Sequence, residues 1–69
     1  MNYQQYLIRD PQICGGELVI KGTRVTLRTI LASLAEGATI DEILKDFPTV
    51  TEPAVRAVIA FAATSAEED

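Results

Sequence analysis

The chain has 69 residues and a formal net charge of −4, enough for one domain whose single core buries only about 60% of the surface that the unfolded chain exposes. Its one cysteine, Cys14, and its lack of histidine exclude an internal disulfide and a zinc site built from ordinary ligands, so a second copy is the stabilising device left to so small a chain, and a homodimer is expected. No apolar run approaches the roughly 20 residues that span a bilayer, the start from Met1 to Tyr6 has neither the basic nor the apolar region of a secretory signal, and a lone thiol suits a reducing cytoplasm.

The elements follow in chain order. Tyr3 to Ile8 is a short mixed segment with strand character, ended by Arg9-Asp10-Pro11, where Asp-Pro favours a turn. Gly15-Gly16 is a second break. Glu17 to Val25 reads as a hairpin: Leu18, Val19 and Ile20 suit one strand, Thr23 and Val25 the other, and Lys21-Gly22 is the two-residue turn between them.

Three helices complete the chain. The first spans about Leu27 to Glu36, with Leu27, Ile30, Leu31, Leu34 and Ala35 on one buried stripe. Thr26 is its N-cap, Val25 and Ile30 form a hydrophobic staple, and Gly37 is the stop. The second spans about Ile40 to Asp46. Thr39 and Glu42 form a capping box, Ile40, Ile43, Leu44 and Phe47 make the stripe, and Pro48 ends it. The third spans about Glu52 to Thr64, with Thr51 as N-cap and Pro53 in the first turn. Val50 and Val55 staple its start. Val55, Val58, Ile59 and Ala62 are its buried stripe, widened by Phe61. The acidic tail, residues 65–69, is expected to fray.

These elements predict a mainly α fold: a short N-terminal β-hairpin followed by a three-helix, homeodomain-like helix-turn-helix bundle. The chain is read as one domain, with the N-terminal segment and hairpin over 1–25 and the tri-helical unit over 26–64. A short helix, a tight connection and a longer helix form the layout of a helix-turn-helix, although many three-helix domains never touch DNA.

The charge is divided unevenly. From Met1 to Ala35, Arg9, Lys21, Arg24 and Arg28 stand against Asp10 and Glu17, a balance of +2. From Glu36 onward, Lys45 and Arg56 stand against eight carboxylates, a balance of −6. An anionic partner should therefore meet the first half. Lys21 and Arg24 flank the turn, with Arg28 behind them. They either clamp phosphate beside a groove or serve solubility, Arg24 then pairing with a carboxylate such as Asp10 or Asp46. On the third helix the early outward positions are Glu52, Ala54, Arg56 and Ala57, of which only Arg56 could hold a phosphate or read guanine. That is a poor recognition surface, and an ordinary amphipathic helix explains it better.

Nothing resembles a catalytic constellation or a glycine-rich phosphate loop. Asp41 and Glu42 are explained by the dipole of the second helix, and Cys14 is expected to be a small buried or partly buried thiol. No enzyme activity, metal, cofactor, membrane or small-molecule substrate is expected.

One stretch is more specific. Asp10-Pro11, Gly16, Ile20, Gly22-Thr23-Arg24 and Val25, with Leu7-Ile8 upstream, stand in the order of the signature of a bacterial family, domain of unknown function family 433. Ile30-Leu31, Gly37, Glu42-Ile43-Leu44, Asp46-Phe47-Pro48 and Thr51 continue the match, which runs from Ile8 to about Ala63. Leu18 stands where many members carry Pro, and Val50 where Leu is usual. The resemblance implies a homeodomain-like helix-turn-helix and an antitoxin-like (VapB-type) role: DNA binding as a dimer, beside a PIN-type ribonuclease toxin. Antitoxins commonly hold the toxin with a C-terminal extension that folds on binding. With only a short acidic tail after the third helix, this chain is expected to use its folded surface or its N-terminal segment. The alternative is a protein–protein interaction adaptor that never meets DNA, for which the acidic second half argues.

Overall fold

The structure is a computed structural model that describes residues 2–67. A single 3-10 turn at Tyr3–Gln5 leads into strand β1, Leu7–Arg9. Asp10 and Pro11 then turn the chain: the Asp10 carboxylate accepts from the Gln12 N–H at 2.9 Å, and its carbonyl accepts from the Ile13 N–H at 2.9 Å. A second 3-10 turn, Cys14–Gly16, precedes strand β2, Leu18–Ile20. Helices α1 (Leu27–Ala35), α2 (Ile40–Asp46) and α3 (Glu52–Glu67) follow.

The described residues thus form three helices and one short antiparallel two-stranded hairpin, and the fold is mainly helical. The pairing differs from the expected one. β2 pairs with β1, in the register Leu7↔Ile20, Ile8↔Val19 and Arg9↔Leu18, and not with Thr23–Val25. The turn at Lys21-Gly22 does form, closed by the Thr23 N–H on the Ile20 carbonyl at 3.0 Å. Only its third residue, Gly22 (φ +82°), is left-handed. That is the type II pattern, which splays flanking strands, whereas two-residue hairpins need the primed turns. Past the turn the chain regains β2 only through the Ile20 N–H on the Val25 carbonyl, at 2.9 Å, and a single bridge, Val19↔Thr26. Thr26 is then committed to capping α1.

The helix ends are set locally. The Thr26 hydroxyl accepts from the Thr29 N–H at 3.1 Å. α1 stops at Gly37 (φ +99°), where the Gly37 and Ala38 N–H groups bond the Leu34 and Ser33 carbonyls, both at 3.0 Å. These are the two bonds of a Schellman motif, and they satisfy carbonyls that the helix leaves open. The capping box of α2 is complete: Thr39 Oγ1 accepts from the Glu42 N–H at 3.2 Å, and Glu42 Oε1 accepts from the Thr39 N–H at 2.8 Å. At α3 the Thr51 hydroxyl accepts from the Ala54 N–H at 3.4 Å. α3 runs through 65–67, where fraying was expected, because Ser65-Ala66-Glu67 holds no breaker and Ala favours helix. Positions 68 and 69 of that tail lie outside the described residues.

The core draws on β2 and all three helices: Ile20, Leu27, Ile30, Ile43, Val50, Ala54, Val55 and Val58 form one buried cluster. Tyr6, Leu7, Leu31, Leu34, Leu44, Phe47 and Phe61 pack around it, half-buried. Tyr3 meets Phe61 edge to face, with centroids 5.6 Å apart, and this pins the N-terminal turn to the far part of α3. The expected stripes need two corrections. Ala35 of α1 is exposed. α3 is rotated: Ala54 and Ala57 are buried and Ile59 is 41% exposed. The inward positions 54, 57, 58 and 61 make one i, i+3, i+4, i+7 stripe, whose small alanines let α3 approach its neighbours closely. Among the described residues no helix is long and apolar enough to cross a membrane.

Candidate functional site

The Ile20–Thr23 turn is held from within. Thr23 donates its hydroxyl to the Ile20 carbonyl at 2.8 Å, and the same oxygen accepts from the Val25 N–H at 3.0 Å. Gly22 and Thr23 are therefore structural, and they fix where the backbone carries Lys21 and Arg24. A further tie comes from the preceding loop: the Cys14 thiol donates to the Arg24 carbonyl, with Sγ 3.3 Å from the oxygen. Cys14 is partly exposed, and its φ of +50° is unusual for a residue with a side chain.

The four cations singled out from the sequence divide into two pairs. Lys21 and Arg24 are exposed, and neither takes part in the two ion pairs among the described residues. Among the described residues Arg24 pairs with neither Asp10, whose carboxylate caps the turn at Gln12, nor Asp46. Arg28 and Arg56 are occupied. Arg28 Nη2 lies 2.8 Å from Glu17 Oε2, and Arg56 Nη2 lies 3.0 Å from Glu52 Oε2, one helical turn back. Their side chains are 77% and 61% exposed, so each pair is worth at most about 1 kcal/mol and can exchange for a stronger anion.

The burial of Ala54 and Ala57 narrows the outward face of early α3 to Glu52, Pro53 and Arg56. This face carries one cation, already bonded to a carboxylate. It is poorer still for reading bases than the sequence suggested.

One cation entered the sequence reading only through the charge balance and not as a site residue. Arg9, on β1, donates to the Gly16 carbonyl at 3.1 Å. With Glu17 and Arg28 it borders a shallow depression floored by Leu18, Leu27, Leu31 and Phe61. Only the β1–β2 register, which sets Arg9 opposite Leu18, brings it there, and no local signal announces that pairing. On the opposite side of α1, Glu36, Glu42 and Asp46 gather around the α1–α2 corner. Among the described residues no group of three or more His, Cys, Asp and Glu side chains is placed to hold a metal ion.

The fold is similar to a solved one. The crystal structure of a DUF433 member protein from Anabaena variabilis ATCC 29413 superposes with a TM-score of 0.81 at 28% sequence identity, covering 97% of this chain and 70% of that one. None of the curated proteins matches the chain. The family described as "Protein of unknown function (DUF433)" matches residues 8–62, from β1 through most of α3. That span contains the Gly22-Thr23-Arg24 turn, all three helix starts and the whole buried core, and the chain belongs to the DUF433 family.

Proposed function

We propose that this chain is an antitoxin-like DNA-binding protein of a bacterial toxin–antitoxin pair, working in the cytoplasm as a homodimer beside a PIN-type ribonuclease toxin, and that it meets DNA through the Ile20–Thr23 turn. One observation carries the DNA part: Lys21 and Arg24 are exposed and outside any ion pair among the described residues, on a turn whose backbone is braced at Thr23 and at Cys14. A braced turn presents its charges at low entropic cost. Such contacts position a protein on the phosphate backbone and carry no sequence information by themselves. The toxin part rests on the family resemblance alone. The reading gives the chain no catalytic, cofactor-binding or metal-binding role.

A DNA titration across salt tests the reading. Two phosphate contacts per protomer correspond to a slope of log K against log salt of about −1.8 per protomer. Arg24→Ala should weaken binding to all sequences alike and flatten the slope by about one unit per protomer. Undetectable affinity at low salt, or an unchanged slope in Arg24→Ala, refutes it.

A second reading, the interaction adaptor without DNA, is favoured by the paired state of Arg28 and Arg56 and by the acidic second half. Co-purification with the product of the adjacent gene, together with no salt-dependent DNA binding, would select it.

A further inference from the structure

β1 has a strand partner on one side only. The phase of its ladder follows from the flanking bonds. The Lys21 N–H reaches the Tyr6 carbonyl at 2.7 Å, while the Ile20 N–H turns away from β1 to the Val25 carbonyl. In an antiparallel pair the bonded and non-bonded positions alternate. Ile8 therefore bonds Val19, and Leu7 and Arg9, opposite Ile20 and Leu18, direct their N–H and C=O groups to the outer edge. No hydrogen bond among the described residues uses those four groups.

Three side chains flank this edge. Leu7 and Arg9 share one face. There two adjoining depressions, one bordered by Tyr3 and Leu7 and the other by Arg9, have Leu18 and Phe61 in common. Ile8 lies on the opposite face and is 36% exposed, one of two large exposed apolar side chains among the described residues. Arg9 is exposed and stands outside both ion pairs. Its bond to the Gly16 carbonyl leaves its charge uncompensated. The Asp10 carboxylate is turned to the Gln12 N–H, and Glu17 is taken by Arg28.

We propose that the outer edge of β1 binds an extended acidic segment of a partner protein as a third, antiparallel strand. Alternating N–H and C=O groups along one edge are matched by an extended backbone, and side chains then give the specificity. Read from its N-terminal end, the segment places a carboxylate opposite Arg9, an apolar residue beside Ile8 and an apolar residue opposite Leu7, next to the depression at Tyr3. The first and third of these exchange both hydrogen bonds with Arg9 and Leu7. The second points its N–H away from β1. A second copy fits less well, since two β1 edges paired about a two-fold axis at Ile8 would set the two Arg9 side chains on one face as diagonal neighbours, with no carboxylate between them. The inference goes beyond the proposed function and needs neither DNA nor a toxin. Neither Lys21 nor Arg24 belongs to this edge, so a loss of DNA binding in Arg24→Ala would leave it standing.

The probe is a short synthetic peptide with a Glu-Val-Val core and Ser and Thr flanks, titrated into the isotope-labelled full chain and read by amide chemical shifts and hydrogen exchange. The Leu7 and Arg9 amides are expected to shift and gain protection as peptide binds in the high-micromolar to millimolar range, while Ile8, already bonded to β2, gains least. N-methylation of the first or third core residue should abolish binding, and N-methylation of the second should leave it almost unchanged. Arg9→Glu should weaken binding several-fold, and a Lys-Val-Val core should restore it on that variant. The N-methyl series on the native chain decides the matter should Arg9→Glu disturb the fold. Leu7 and Arg9 amides that stay unshifted at several millimolar peptide overturn the inference. So does a Lys-Val-Val core that binds the native chain as tightly as Glu-Val-Val, or equal tolerance of all three N-methyl groups. Concentration-dependent protection of those two amides in the chain alone would give the edge to a second copy and overturn it as well.

Discussion

Gly22 sits at the third position of the turn that carries Lys21 and Arg24, with φ +82°. An L-configured Cβ built there meets nothing within 4 Å, so the effect of an L-alanine methyl group is purely conformational. An L-residue in the left-handed region is strained by about 1–2 kcal/mol, while replacing Gly stabilises by about 0.4–1 kcal/mol through the less flexible unfolded chain. Gly22→Ala should therefore destabilise by roughly 1 kcal/mol net, a fall in Tm of about 4–8 °C for a domain of this size. D-alanine at position 22 removes the strain and keeps the unfolded-state gain, so it should raise the Tm by a few degrees. A chain this short can be made by total synthesis, and thermal unfolding of the two epimers at one chain concentration isolates the backbone term; equal concentration matters because dimerisation shifts the Tm. Equal melting of the L and D epimers would refute a left-handed residue 22. A D-epimer less stable than the L-epimer would show that the space beside the turn is filled.

Three further outcomes follow from the packing and the caps. Thr39→Ala removes a capping-box bond from a seven-residue helix and should destabilise the chain by about 1 kcal/mol in urea titration, against a much smaller loss for Thr39→Ser. Val58→Ala deletes two methyl groups from a fully buried site and should destabilise by roughly 2 kcal/mol, whereas Ile59→Ala at the exposed neighbour should change protomer stability by less than about 0.5 kcal/mol. Glu17→Gln frees Arg28 from its 2.8 Å partner; stability should change by less than about 1 kcal/mol, while DNA affinity at low salt should rise and the salt slope steepen, and an unchanged slope would show that Arg28 does not face phosphate.

The three helix starts could be read residue by residue, because a cap is a contract between neighbours in the chain. Thr26, Thr39 with Glu42, and Thr51 bond N–H groups three residues on, and Gly37 closes α1 through bonds that span a few residues. The Arg56–Glu52 pair belongs to the same class, being one helical turn apart. What failed was rotational phase and long-range pairing. Alanine and isoleucine both fit either side of α3, so composition could not tell that Ala54 and Ala57 would be buried and Ile59 left outside. The partner of Leu18–Ile20 lay nine to thirteen residues back, beyond a loop with two turns of its own, and the wrong neighbour was the nearer one.

The candidate site divides along the same line. Lys21, Gly22, Thr23 and Arg24 were identifiable as a glycine turn carrying two cations, and the run of matching positions from Asp10-Pro11 through Gly22-Thr23-Arg24 to Thr51 carried the resemblance to the family whose model matches residues 8–62. By itself the amino-acid order determined the helices, their caps, the turn and the absence of histidine and of a cysteine pair, because each depends on backbone chemistry within about four residues or on composition. Tertiary structure alone decided that β1 pairs with β2, that Arg9 and Arg28 border one depression while Glu17 takes up Arg28, and that α3 turns Ile59 outward. Those outcomes depend on which surfaces meet when the core closes, and that is settled by summed burial across the whole chain and not by any short stretch of it.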